Sequence, residues 1–126
     1  MRNNSLLEKA SGVSVLVVME HQNLTDAEQE QLHKIMQACR LEEGAYVICD
    51  TTATWLDFRM EEHLQTVILF GDLEQRFNIN ILIPIHQPVT FDGRNWIKTR
   101  PVSELMNNAQ LKSAFWQQAL KPIFVP

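Results

Sequence analysis

The sequence is poor in the residues that cross-link, coordinate or cradle. Its 126 residues include two cysteines, Cys39 and Cys49, and neither stands in a CxxC pair or a Cys/His cluster of zinc-ligand spacing. That argues against a disulfide scaffold or a zinc module and favours two buried, reduced thiols. The four glycines are scattered, so GxGxxG, Walker A and GxSxG loops are all missing. No apolar run approaches the ~20 residues that span a bilayer. Met1-Arg2-Asn3-Asn4-Ser5 leads to no signal-peptide apolar region, so a cytoplasmic location is the expectation. Positive charge is also scarce: 11 Lys and Arg stand against 15 Asp and Glu, for a net charge of −4. Such a chain repels phosphate backbones as a whole.

What is present suits a single globular domain over residues 1–126. Apolar residues make up 45% and charged residues 21%, enough for a core without staples. Charge is uneven: residues 1–91 sum to −7 and residues 92–126 to +3, a balance that an ordinary solvated face also explains.

After a short arm or helix at 1–12, Val13 to Met19 is apolar and β-branched without alternation, as in a central strand buried on both faces. Thr25 and Glu28 have capping-box spacing, and Leu32, Ile35, Met36 and Cys39 make one apolar stripe, so a helix follows, ended by Glu42-Glu43-Gly44. Ala45 to Cys49 completes a βαβ unit. In 51–64, Trp55, Phe58 and Leu64 fit a short helix. Val67 to Phe70 reads as a third strand and Ile79 to Ile83, before Pro84, as a fourth. Asp92-Gly93 joins 88–91 to 95–98 in a small hairpin. A last helix, capped by Asn107 or Asn108, runs to about Leu120 and stops at Pro122. The fold class expected is α/β: a three-layer α/β/α domain with a central, mostly parallel four-stranded sheet.

Two stretches resemble the psi subunit family of bacterial DNA polymerase III. The first is Val13–Asp50, with Leu24-Thr25-Asp26 before the helix and Ile35-Met36-Gln37-Ala38-Cys39-Arg40-Leu41 at its end. The second is Arg100–Lys121, RPVSELMNNAQLKSAFWQQALK. Together they cover about half the chain, in order and at similar spacing; the middle aligns only by strand pattern. The resemblance implies a uracil-DNA-glycosylase-like fold without catalysis or cofactor. It also implies an adaptor in DNA replication that bridges a chi-like subunit to clamp-loader subunits and meets nucleic acid only indirectly. Members of that family carry an extended N-terminal arm. Here about twelve residues precede the first strand, with Leu6 and Leu7 as the shortened anchor.

Enzymatic chemistry has candidates but no motif. Glu20, Asp50, Asp72, His21 and His86 sit near strand ends, where open α/β sheets bind ligands, and polar residues are also simply what occurs where strands leave a core. The first loop, Glu20-His21-Gln22-Asn23, lacks the glycines of a glycosylase. The second, Thr99-Arg100-Pro101-Val102-Ser103, has arginine where that family's histidine belongs. Trp116 lies on the apolar arc of the last helix and is assigned to the core. Trp55 and Trp96 are the candidate partner-binding anchors beside Leu6 and Leu7. The alternative reading is a degenerate glycosylase-like nucleic-acid binder, with Arg94, Lys98, Arg100 and Lys112 on phosphates.

Overall fold

Residues 13–126 are described by a computed structural model of the chain. The arm at 1–12, with Leu6 and Leu7, lies outside the described residues. Val15–Met19 forms β1, with every residue buried, as its unbroken apolar run requires. Val15, Val17 and Met19 enter one core cluster, while Leu16 and Val18 enter the other. Asp26–Ala38 forms α1. Its capping box is present in full: the Thr25 hydroxyl accepts from the Glu28 N–H at 3.1 Å, and the Glu28 carboxylate accepts from the Thr25 N–H at 2.9 Å. Replacing Thr25 with alanine is expected to cost about 1 kcal/mol, read as a lower urea midpoint at unchanged m.

The helix ends four residues before the expected Glu42-Glu43-Gly44 signal. Arg40 adopts the left-handed region at φ 62°, and the Leu41 N–H donates back to the Met36 carbonyl. That six-to-one bond is a Schellman stop made without glycine.

Tyr46–Asp50 forms β2, parallel to β1. Thr66–Phe70 forms β3, parallel to β1 on its other side. Val89–Phe91 and Arg94–Thr99 form β4 and β5, joined by Asp92 and Gly93, both at positive φ, the geometry of a two-residue primed turn. The sheet has five strands, not four, in the order β2-β1-β3-β5-β4, with only the β4–β5 pair antiparallel.

The expected strand at Ile79 to Ile83 does not form. Ile79, Ile81 and Ile83 turn towards the core and Leu82 is 86% exposed, so the segment alternates as a strand would, yet it pairs with no neighbouring strand. The Ile83 N–H donates to the Glu74 carboxylate at 3.0 Å instead of to a neighbouring strand. The strand beside β3 is instead β5, expected only as one arm of a small hairpin.

Both helical layers also differ from expectation. Val102–Met106 forms α2. The last helix, α3, starts at Ala109–Ala114 with Asn108 as cap, continues π-wound through Phe115–Leu120, and returns to α-geometry over Lys121–Phe124. It therefore passes Pro122 rather than stopping there. A proline ring collides with the carbonyl four residues back, and the wider π turn relieves that collision. Helices α1, α2 and α3 pack on one face of the sheet. The other face is covered by a 3₁₀ turn at Trp55–Asp57 and by irregular chain bringing in Phe58, Leu64, Leu73 and Phe77. The second outer layer of the expected α/β/α stack thus contains a single 3₁₀ turn and loops.

Candidate functional site

The connection after β1 leads through α1, on the helical face, to β2. The connection after β3 leads over the opposite face towards β4 and β5. Between the carboxyl ends of β1 and β3 the winding therefore changes direction, and that crevice is where open α/β sheets take ligands. Here it measures about 240 Å³ and is bordered by Glu20, Gly71, Asp72, Arg76, Arg100 and Pro101. Gly71, at φ 129°, turns the chain out of β3 where other residues are strained.

The charges around the crevice answer one another. Arg76 meets Glu20 at 2.7 Å, and Arg100 meets Asp72 and Glu104 at 3.2 Å each. Lys98 reaches Asp72 at 2.9 Å and the buried Glu74 at 2.8 Å. The hydrogen bond from Arg76 holds Glu20 below the usual carboxylate range. Those from Lys98 and then Arg100 do the same for Asp72, and the Thr52 hydroxyl does so for Asp50. For Glu74, burial pushes upward, but Lys98 and the Ile83 N–H outweigh it and the net shift is down. Burial drives Cys39 and Cys49 to about 12, so neither thiol is a nucleophile at neutral pH.

His86 is buried at φ 59°, stacked on Phe115 and hydrogen-bonded to the Thr99 hydroxyl at 2.8 Å. Burial lowers its pKa, so the unfolded chain binds its proton more readily than the native chain. Its contribution to stability is intact above the unfolded value of about 6.5 and is lost as pH falls through the lowered folded value. Urea midpoints are expected to decline below about pH 6.5, and His86→Gln should remove that upper part of the decline. A variant with an unchanged pH profile would contradict this role.

The cations of the nucleic-acid reading do not form a phosphate patch. Arg94 donates to the carbonyls of Arg59, Glu61, Leu64 and Asp92 and lies over the Trp55 ring. Lys98 is buried in its ion pairs, and Arg100 is engaged by two carboxylates. Lys112 is exposed on α3 and has no ion pair among the described residues. The two candidate anchor tryptophans are core. Trp96 is fully buried and Trp55 is 4% exposed, packed edge-to-face at 4.9 Å. Their indole N–H groups are used internally, Trp55 on Asp92 and Trp96 on the Phe91 carbonyl, both at 2.7 Å. Neither can anchor a partner without unfolding the face it holds together.

Trp116, assigned to the core, is instead half-buried. It borders a groove of about 300 Å³ between α1 and α3 whose apolar walls are Ile35, Ala38, Phe115, Trp116 and Leu120 and whose rim carries Lys34 and Lys112. Sequence reasoning missed this groove. The apolar arc of α3 was visible, but how much of it the sheet would cover was not.

Among the described residues, no helix is long and apolar enough to cross a membrane, and no cluster of His, Cys, Asp and Glu has the arrangement to hold a metal ion. The fold defines the chain as an α/β protein with a mixed, mostly parallel sheet and a charge-compensated switch-point crevice. Compared with protein-family models and with curated proteins, the sequence finds no match.

Proposed function

We propose that this protein is a non-enzymatic adaptor resembling the psi subunit of DNA polymerase III, bridging chi-like and clamp-loader proteins in DNA replication. One observation carries the reading. The two stretches that resemble psi, Val13–Asp50 and Arg100–Lys121, are far apart in sequence, yet both contribute to one core cluster on one sheet face and line the same groove. The intervening segment, which does not carry the resemblance, supplies much of the opposite face.

The crevice chemistry supports the non-catalytic half of the reading. The crevice's two carboxylates are committed to ion pairs, Glu20 with Arg76 and Asp72 with Lys98 and Arg100, and those partners hold both below the usual range, away from the raised value a general acid needs at neutral pH. The test is reconstitution. The full chain is mixed with the chi-like subunit and the clamp-loader subunits of its own organism and run by size exclusion and native mass spectrometry. A stable complex with either is the expected result. Recovery of the chain alone from both mixtures would sink the proposal.

A further inference from the structure

The groove between α1 and α3 differs from the rest of the surface in charge, in donors and in backbone. The chain is net negative, yet two lysines and no carboxylate line this groove. Lys112 has no ion pair among the described residues. Lys34 has one exposed helical contact, to Glu30 at 3.6 Å, which is worth little in water. The indole N–H of Trp116 donates to nothing among the described residues, unlike those of Trp55 and Trp96. A half-buried tryptophan with a free donor beside an apolar floor has the form of an interface anchor.

The backbone adds a separate observation. The π-wound stretch Phe115–Leu120 supplies three of the five apolar lining residues, Ile35 and Ala38 of α1 being the others. Bonds that span five residues bring Phe115 and Leu120 onto one side of the helix. Single π turns within α-helices concentrate at functional sites.

We infer that this groove docks an amphipathic, acidic segment of a partner protein. Its apolar side chains would lie on Ile35, Phe115, Trp116 and Leu120, and its carboxylates would meet Lys34, Lys112 and the Trp116 N–H. The inference rests on the adaptor reading and adds the surface and the chemistry of its partner.

The test places a photo-reactive phenylalanine analogue at Gln31, on the groove rim, in the full chain expressed in its native cells, with Leu82 as a remote exposed control. Cross-linked peptides are then sequenced. From position 31, and not from 82, the expected product is a segment of another protein with Asp or Glu within a turn of apolar residues. A synthetic peptide of that segment should bind the full chain and lose at least about tenfold in affinity with Lys34→Glu/Lys112→Glu, less so at high salt. A charge-reversed peptide should recover binding to that variant. Trp116→Ala should weaken the original peptide by a similar factor, but the lysine variants alone decide the outcome if this one misfolds.

The inference is overturned by a cross-link to residues 1–12 of the same chain, to a second copy, or to a segment without carboxylates. It is equally overturned by affinity that the lysine variants leave unchanged, or by no cross-link at position 31. If the chi-like or clamp-loader complex forms and ignores the lysine variants, the groove assignment fails while the adaptor reading survives. If an acidic segment of an unrelated protein is captured with those properties, the reverse holds.

Discussion

Replacing Trp96 with alanine is expected to cost about 3–5 kcal/mol, the range for truncating a large buried aromatic. Domains of this size hold roughly 5–15 kcal/mol in all, so the variant should sit near the edge of unfolding at room temperature. Trp96 is fully buried where Trp55, Phe77 and Phe91 converge, at ring-centroid distances of 4.9, 6.4 and 5.6 Å. Removing it opens a cavity beneath the irregular layer, which has no α-helix to close over the gap. Trp96→Phe keeps most of the ring and loses the bond to the Phe91 carbonyl, so about 1–2 kcal/mol is expected. Urea denaturation of the three proteins gives the comparison. An interface anchor would behave differently, since exposed substitutions usually stay within about 0.5 kcal/mol. A stable Trp96→Ala protein would therefore overturn the core assignment.

Lys98→Met should destabilise by a comparable amount, about 3–5 kcal/mol, because it leaves a buried carboxylate without its cation. Glu74 is 4% exposed and Lys98 is 8% exposed. Burial alone would push Lys98 down, but its bonds to Glu74 and Asp72 hold it above its ordinary value. Glu74 also accepts the Ile83 N–H, so the pair pins the segment that failed to become a strand. Lys98→Met/Glu74→Gln should recover at least half of the loss: the amide oxygen still accepts from Ile83 and no charge is buried. The sign with pH is fixed by Glu74. Its lowered pKa contributes stability above the carboxylate range that fades as pH falls, so wild type and Lys98→Met should converge in acid. Additive single-variant losses in the double-mutant cycle would show that the two side chains act independently.

Much of the fold was legible because it is written locally. The unbroken apolar runs of β1 and β3, the Thr25/Glu28 box, the stripe Leu32, Ile35, Met36 and Cys39, the Asp92-Gly93 turn and the Asn108 cap all match the structure. Each depends on residues a few positions apart. The errors share a cause as well. Ile79 to Ile83 is more apolar than Arg94–Thr99, in which only Trp96 and Ile97 are apolar, and hydrophobic pattern cannot decide which of the two lies beside β3. Pairing did so, because Arg94–Thr99 can align with β3 while Glu74 takes the Ile83 N–H.

The candidate site was less legible. The sequence marks Glu20 and Asp72 as strand-end residues and Arg100 only as a candidate phosphate contact, but which charge meets which is a matter of distance, and their neutralising partners include Arg76 and Glu104, which no motif marks. Among the tryptophans, composition says only that each is large and amphipathic. Two became core and the third borders the groove, because burial depends on what the rest of the chain brings to each face.

The sequence by itself determined the class of this protein: α/β, with a buried parallel centre, capped helices and no recognised catalytic or metal motif. Short-range hydrogen bonding and hydrophobic period are enough for that. The tertiary structure decided the fifth strand, the ion pairs that fill the switch-point crevice, the inward tryptophans and the open groove of α1 and α3. Those follow from contacts between residues distant in the chain, whose energies are set by geometry and burial that exist only once the elements have packed.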